Sequence, residues 1–315
     1  MENLATPTSI LPLSDISKQL VIKYLDPVHL ISFSLGSNEA QKTVKSLFTT
    51  PSRIRIDVGF FRCTLRIRGA PGLKLIMKNE ELTFSDPSLT SSMSTNQWIR
   101  HFLDIFNCSE GIELYFHDAC ECFPVSSLQE ALENIKINRI EILSESEENS
   151  YREEVLDSFL PCKCLQIKSN PYETVHEFQK KVLKYHYDEL ILRFWFIVDI
   201  YTVLSLKVVN CQILKSDLSD THVNWVLKCW LKGWNPDLKF LLLKLNQNNV
   251  TEDFISKIFE NIEYELNPEE RSFPKPFNYL ETFKNGYDIL NTNGKRATVQ
   301  IMQNRFINVH FMVWS

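Results

Sequence analysis

Beyond about residue 98, short apolar segments alternate with longer amphipathic ones, and this alternation limits the possible fold more than any other feature of the sequence. Strands are predicted to begin near Ile112, Arg139, Lys163, Glu189, Lys207 and Lys239. Helices are predicted between them, at about 126–136, 150–160, 172–186, 217–232 and 251–262. The unit recurs at roughly 20–30 residues, the range of leucine-rich and related solenoid repeats. Because the units differ in sequence, the pattern predicts a repeat-like strand–helix domain over residues 98–315 and not a strict repeat.

Two further segments complete the prediction for this domain. The most apolar stretch, residues 190–206, is interrupted by Arg193 and Asp199, so it indicates buried strand material and not a membrane span. The C-terminal segment returns to strand-like alternation. Residues 287–290 and 297–302 are expected to form a hairpin, and residues 306–314 a third strand.

The N-terminal residues 1–50 have helical periodicity. Apolar residues recur at helical spacing from Ile16 to Tyr24, and Asp26-Pro27 then ends one helix and starts the next, since Asp is a good N-cap and Pro suits the first helical position. Asn38 with Gln41 resembles a capping box for a third helix. Three helices in about forty residues have a very small core, so such a module usually needs a partner surface.

Residues 51–97 read as strands followed by a loop. Segments 53–58 and 61–67 alternate apolar and polar residues, segments 73–77 and 82–84 flank a turn at Asn79-Glu80, and residues 85–96 are rich in Ser and Thr. This pattern predicts a small antiparallel sheet. The fold class is therefore α+β: a three-helix module, a small antiparallel sheet, and a strand–helix domain with leucine-rich-repeat-like character.

Charge and composition exclude several classes of partner. There are 34 Lys and Arg against 39 Asp and Glu, a net charge of −5, so no general attraction to nucleic acid or anionic membranes is expected. The first fourteen residues have neither a basic region nor an apolar run suited to a signal peptide. A cytoplasmic or nuclear location is expected, and the eight cysteines should then be free thiols.

Motifs for chemistry are weak. Cys120-Glu121-Cys122 and Cys162-Lys163-Cys164, near His117 and Asp118, are the best metal candidates, but zinc sites favour longer Cys spacings, and Cys-x-Cys on a strand directs its thiols to opposite faces. No phosphate-binding loop or nucleophile motif occurs. His176, His186 and His222 have no partner at metal spacing. The sequence predicts no metal, no cofactor and no catalysis, although residues distant in sequence can still form a catalytic site.

Two groups of side chains allow two interpretations each. The basic residues of the predicted small sheet could bind a phosphorylated or acidic ligand, or simply form a solvated face; they are Arg53, Arg55, Arg62, Arg66 and Arg68. Trp225, Trp230 and Trp234 could form a binding hot spot or complete a core.

Two regions together resemble F-box proteins with a type 2 F-box-associated domain, a family numerous in nematodes. Residues 13–47 are similar to an F-box, at Leu13, Val21, Leu25, Pro27, Leu30-Ile31, Phe33-Ser34 and Ser37. The more specific likeness lies in the strand–helix domain, at Asn210-Cys211, Asp217-Leu218-Ser219, Val223-Asn224, Leu227-Lys228, Trp230-Leu231, Gly233, Asn235-Pro236 and Leu238. The C-terminal end fits as well, at Gly286-Tyr287-Asp288-Ile289, Asn293-Gly294, Ala297-Thr298-Val299 and Met312-Val313-Trp314.

The resemblance implies a substrate-recognition subunit of an SCF-type cullin-RING ubiquitin ligase. The F-box would bind a Skp-type adaptor, and the C-terminal domain would bind a protein substrate that the sequence does not identify. By position, the adaptor-binding residues would be Leu11, Pro12, Leu13, Val21, Leu25, Pro27, Leu30 and Ile31. The alternative is a non-catalytic repeat-type scaffold whose N-terminal helices only cap the domain. Exposure of the apolar side chains in residues 11–35 would favour the adaptor interpretation, and packing on the repeat domain would favour the cap.

Overall fold

The computed structural model describes Ser17, Leu20, Ile22 and residues 24–48, 52–59, 62–67, 74–78, 81–84, 93–144, 149–194, 200–246, 253–275, 279–303 and 306–314. The chain divides into two compact units, residues 1–140 and 141–315. No described helix is long and apolar enough to cross a membrane.

The helical part of the first unit contains α1, Pro27–Ser34, and α2, Asn38–Leu47. As predicted, Asp26 caps α1, with its side chain accepting from His29 N at 2.9 Å, and Pro27 begins the helix. The predicted cap of α2 was wrong by one residue: Ser37 is the N-cap and accepts from Ala40 N at 3.1 Å, because its extended backbone aims the hydroxyl at the open amide. The first predicted helix lies mostly outside the described residues.

The strands that follow are β1, Ile54–Gly59; β2, Arg62–Ile67; β3, Lys74–Lys78; β4, Glu81–Phe84; and β5, Ile112–Phe116. Strand β1 pairs antiparallel with β2, β2 with β3, and β3 with β4. However, β1 also pairs in parallel with β5, from Ile54 opposite Ile112 to Val58 opposite Phe116. The four strands were predicted to form a sheet of their own. They do not, because β5 pairs with the second edge of β1. The predicted turn at Asn79-Glu80 lies outside the described residues.

Helix α3, Thr95–Ile105, begins inside the segment predicted to be a loop. Ser94 accepts from Gln97 N at 3.2 Å, and the Gln97 side chain accepts from Ser94 N at 2.8 Å. This reciprocal pair is a capping box, a helix-start signal hidden in the Ser- and Thr-rich stretch. The helix buries Trp98, Ile99, Phe102 and Ile105. A 3-10 turn, Cys120–Cys122, and helix α4, Val125–Ala131, follow β5.

Strand β6, Ile137–Ile142, contains the boundary between the units. The alternating elements after it are α5, Asn149–Phe159; β7, Cys164–Ile167; α6, Val175–Phe178; β8, His186–Leu192; α7, Ile200–Ser205; β9, Lys207–Ser216; α8, Asp220–Leu231; β10, Phe240–Leu245; and α9, Phe254–Ile258. A π-helical turn, Gln179–Leu183, extends α6. Strands β7 to β10 are parallel neighbours in chain order. The predicted strand–helix alternation is confirmed to within a few residues.

The prediction of buried strand material over residues 190–206 is confirmed only up to Leu192. Strand β8 ends at Leu192, and α7 starts at Ile200. In α7, Ile200 and Val203 are buried whereas Tyr201 is exposed, which is helical spacing. A short apolar run cannot distinguish a buried strand from a buried helix, and tertiary packing decided between them.

The second unit ends in β-structure. Its strands are β11, Glu265–Asn267; β12, Arg271–Lys275; β13, Tyr279–Phe283; β14, Gly286–Leu290; β15, Arg296–Gln303; and β16, Ile307–Val313. The predicted hairpin and third strand are confirmed by antiparallel β14–β15–β16, and β16 pairs antiparallel with β10. Strands β12 and β13 form a separate two-stranded sheet.

Both faces of this sheet carry buried aromatic residues. Trp230 of α8 packs edge-on against Phe311 of β16, with ring centroids 5.0 Å apart. Phe240 of β10 stacks on Phe273 of β12, with centroids 6.0 Å apart, so the β12–β13 hairpin covers a row of the sheet. Phe240 on β10 and Phe311 on β16 therefore pack on opposite faces of the sheet, Phe240 against the β12–β13 hairpin and Phe311 against α8.

One asparagine contact occurs in both units. Asn96, on α3, and Asn224, on α8, each donate from Nδ2 to two carbonyl oxygens at the end of the following helix. The acceptors are Ala131 (3.0 Å) and Glu133 (3.2 Å) for Asn96, and Ile258 (2.8 Å) and Glu260 (3.0 Å) for Asn224. Each pair precedes an Asn with φ of 58°, Asn134 or Asn261. A common helix–helix connection therefore recurs despite dissimilar sequences.

Candidate functional site

The predicted adaptor-binding residues fall into three groups. Leu11, Pro12, Leu13 and Val21 lie outside the described residues. Pro27 begins α1, and Leu25 just before it is half-buried. Leu30 is 8% exposed and Ile31 fully buried. Adaptor binding by this set stays a prediction.

Two exposed apolar side chains in the segment before α1 are not among the predicted adaptor-binding residues. Leu20 is 56% exposed and Tyr24 85% exposed, whereas Ile22 between them is buried. Positions four apart on a helix share a face, and Leu20 is helical. This part of the chain therefore presents Leu20 and Tyr24 to solvent. Sequence reasoning placed both on the apolar stripe but did not select them for binding.

Helices α1 and α2 are joined to α3 by polar contacts. Gln41 and Lys45 of α2 donate to Oδ2 and Oδ1 of Asp104, at 2.8 and 2.5 Å. The Lys45 hydrogen bond lowers the pKa of Asp104, and burial opposes it only partly. A single carboxylate on α3 thus holds two turns of α2.

A second contact involves α1. Ser34 Oγ donates to Ile31 O at 2.7 Å and lies 2.8 Å from His101 Nε2. Because Ser34 donates its hydroxyl proton to Ile31 O, His101 Nε2 donates to Ser34 Oγ. Burial lowers the pKa of His101, and the charge of Asp104 opposes this shift. The helical segment is therefore attached to α3 through a neutral imidazole.

Asp57 of β1 is the centre of a charged cluster on the first unit's sheet. Arg55 donates from Nε and Nη2 to Asp57 Oδ1, at 2.8 and 2.5 Å, and His117 Nε2 donates to the same oxygen at 2.8 Å. Arg66 Nη1 lies 3.6 Å from Oδ2, which accepts no hydrogen bond. Burial acts to raise the pKa of Asp57, but the cationic and hydrogen-bonding neighbours outweigh it, and the pKa is lowered. The carboxylate is ionised and orients the groups around it.

Aromatic and acidic neighbours extend this cluster. The Arg55 guanidinium carbon lies 3.5 Å from the centroid of the Tyr115 ring. Tyr115 donates to Glu113 Oε2 at 3.2 Å, and Arg53 donates to Glu113 Oε1 at 3.2 Å. His117, predicted as a candidate metal ligand, is thus a hydrogen-bond donor to Asp57. The Arg55-x-Asp57 spacing, which places both side chains on one face of a strand, could have shown this pair in the sequence.

The residues of the family resemblance mostly build the second unit's framework. Asn235 donates from Nδ2 to Leu206 O and Val208 O, at 3.4 and 3.1 Å, and Trp234 Nε1 donates to Leu204 O at 2.6 Å. Gly233 has φ of 92°, which ends α8 with the left-handed residue that glycine favours. Trp230 is buried, whereas Trp225 is 46% exposed. The three tryptophans therefore do not form one exposed hot spot.

The cysteines and the other potential metal ligands are the remaining candidate chemical groups. No group of three or more potential metal ligands occurs within the described residues. Burial raises the pKa of Cys108 and Cys211 to about 12 and that of Cys63 further still, so these thiols are poor nucleophiles. Cys162 donates to Cys164 O at 3.1 Å.

Comparisons with known proteins add one family. No curated protein and no solved structure matches the chain. The family model described as F-box associated matches residues 177–243, from the end of α6 into β10. This range contains the Asn210, Asn224 and Trp230 positions on which the resemblance depends. Residues 177–243 are therefore similar to the F-box-associated family.

Proposed function

We propose that this chain is a substrate-recognition subunit of an SCF-type cullin-RING ubiquitin ligase. The observation that carries the proposal is the F-box-associated match over residues 177–243. Domains of this kind accompany F-boxes, and the helices α1 and α2 lie where the resemblance to an F-box is found.

In this proposal the N-terminal segment binds a Skp-type adaptor. The predicted set from Leu11 to Ile31 supplies the apolar residues, and Leu20 and Tyr24 supply exposed area. An amphipathic helix that fits an apolar groove is a common recognition mode. The buried Leu30 and Ile31 support the helices from within.

The chain itself catalyses nothing under this proposal. It binds a protein substrate through the C-terminal domain and raises the local concentration of substrate lysines near a charged ubiquitin-conjugating enzyme. The raised thiol pKa values are consistent with an adaptor without a covalent step. A location in the cytoplasm or nucleus, where such ligases act, belongs to the same proposal.

The test is co-purification of the full chain with a Skp-type adaptor. Leu30→Asp is unsuitable because Leu30 is buried and its loss would unfold the module. The variant is Leu20→Asp with Tyr24→Asp, and the matched control is Tyr201→Asp, at a residue 69% exposed in the second unit. The proposal expects stoichiometric binding by wild type and control and its loss in the double variant. No binding by the folded wild type would contradict the proposal.

A second candidate is a non-catalytic scaffold in which α1 and α2 only cap the first unit. The contacts of Gln41 and Lys45 with Asp104, and the burial of Ile31, favour this function. Under it, the wild type would not bind the adaptor, and deletion of residues 1–48 would lower the stability of the first unit.

A further inference from the structure

We propose that the sheet face around Asp57 binds the phosphate group of a phosphorylated segment in a partner protein. This surface, the Asp57 face, consists of Arg55, Asp57, Arg66, Tyr115 and His117. It lies in the first unit, and none of its residues belongs to the F-box-associated match.

The first argument is the arrangement of basic residues across adjacent strands. Arg55 of β1 is directly opposite Arg66 of β2. Like charges directly opposite each other destabilise a sheet. One carboxylate, Asp57, partly offsets this repulsion, so the pair of arginines costs stability that an anionic ligand would return.

The second argument is the state of Arg66. Its guanidinium is 58% exposed and lies 3.6 Å from the buried Asp57 Oδ2 without a hydrogen bond. Among the described residues, it donates no side-chain hydrogen bond at all. Asp57 therefore attracts the guanidinium electrostatically but leaves its donors available to a ligand. Arg matches the geometry of phosphate oxygens with two parallel hydrogen bonds.

The third argument is the charge balance. At Asp57 itself, Arg55 and Arg66 contribute two positive charges and Asp57 one negative charge, so one positive charge remains. Beside them, Arg53 lies 3.2 Å from Glu113 and 4.0 Å from Glu110, so it adds nothing to this surplus. His117, 41% exposed, lies at the edge of the face and donates from Nε2 to Asp57. The surplus is local, because the whole chain has a net charge of −5.

These properties select the ligand. A long polyanion such as RNA would be repelled by the acidic remainder of the chain, whereas one phosphate group contacts only this face. A phosphoserine carries about −1.5 to −2 charges and three strong acceptor oxygens, which suit the guanidinium groups of Arg55 and Arg66. Tyr115 holds the Arg55 guanidinium flat against its ring, so little ordering entropy is lost on binding.

The inference deepens the proposed function, on which it rests only in treating the partner as a substrate. Adaptor binding and phosphopeptide binding use different residues, Leu20 and Tyr24 against Arg66. Either measurement can therefore fail while the other succeeds.

The test uses the full chain, immobilised, and three degenerate peptide pools that differ at one fixed central position: phosphoserine, serine or glutamate. The variant is Arg66→Gln, which should fold because Arg66 is exposed. The matched control is Arg296→Gln, an exposed arginine at the start of β15 in the second unit. Arg66→Lys is added because it keeps the charge and removes the paired donor geometry.

We expect wild type and Arg296→Gln to retain the phosphoserine pool at least about tenfold over the serine pool, with weaker retention at higher salt. Arg66→Gln should lose this preference, and Arg66→Lys should keep only part of it. Equal retention of the phosphoserine and serine pools would overturn the inference. So would equal retention of the glutamate and phosphoserine pools, or an unchanged preference in Arg66→Gln.

Discussion

The guanidinium group of Arg271 donates one hydrogen bond to each carboxylate oxygen of Asp288, from Nη1 to Oδ2 at 3.0 Å and from Nη2 to Oδ1 at 2.9 Å. The two side chains are 17% and 8% exposed. Thr298 also donates to Asp288 Oδ1, at 2.6 Å, and the Trp314 ring centroid lies 5.3 Å from the guanidinium carbon. The pair therefore joins the β12–β13 hairpin to the main sheet of the second unit.

Replacement of Arg271 by Gln should lower the free energy of unfolding by about 3 kcal/mol, because it leaves the largely buried Asp288 carboxylate without its cation. Urea denaturation measures this. The matched control is Lys284→Gln, since Lys284 pairs with Glu270 at 2.7 Å but both side chains are mostly exposed. The control should change stability by less than about 1 kcal/mol. Equal effects of the two substitutions would contradict the assigned role of Arg271.

The same pair makes stability depend on pH. Burial acts to raise the pKa of Asp288, but hydrogen bonds from Arg271, Thr298 and Asn267 outweigh it and lower the pKa. A carboxyl whose pKa is lower in the folded state stabilises the fold above its unfolded pKa of about 3.9 and loses this contribution as pH falls through the folded value. Wild type should therefore lose stability below about pH 5.

Asp288→Asn should be less stable than wild type at pH 7 and show a shallower decline between about pH 5 and pH 3. Urea denaturation at a series of pH values measures the slope. Asp237→Asn, at an exposed position, should leave the slope as in wild type. A slope unchanged in Asp288→Asn would show that other carboxyls cause the acid sensitivity.

Asn224→Ala should destabilise the second unit by about 2 kcal/mol, because the carbonyls of Ile258 and Glu260 lose their donor. Asn224→Asp should cost at least as much, since a carboxylate cannot donate and Asn224 is only 4% exposed. Thermal denaturation of the full chain gives both values. Asn293→Ala, at an exposed turn, is the control and should be close to neutral. A neutral Asn224→Ala would contradict the proposed connection between α8 and α9.

The attachment of α1 should weaken in mild acid. Burial lowers the pKa of His101, so neutral His101 stabilises the contact with Ser34 above the unfolded pKa of about 6.5, and this contribution is lost as pH falls through the folded value. Hydrogen-exchange protection factors of α1 and α2 should therefore be smaller at pH 5.5 than at pH 7.5.

His101→Gln should remove most of this pH dependence, because glutamine keeps a donor without titrating. His186→Gln, at an exposed position in the second unit, should leave it intact. If protection of α1 falls equally in wild type and His101→Gln, another group controls the attachment.

Local signals in the sequence determined most of the elements. Apolar periodicity located β5 and β7 to β10, and the Asp26-Pro27 pair started α1 where expected. The signature around Asn224 and Trp230 identified the domain that the family comparison then matched at residues 177–243. Such signals depend on residues within about four positions of one another, so they survive without knowledge of the fold.

Tertiary structure decided the rest. Whether residues 200–205 form a helix or a strand depended on which side chains the neighbouring elements bury. Arg271 meets Asp288 across 17 positions, and His117 meets Asp57 across 60, because strand pairing brings them together. Leu30 and Ile31 were predicted among the adaptor-binding residues, and the packing of the helices buries both side chains. The sequence by itself determined most of the elements and the likeness of residues 177–243 to the F-box-associated family. Only the register of the strands and the packing of the helices decided which charged and apolar side chains face solvent, since that depends on contacts between residues far apart in the chain.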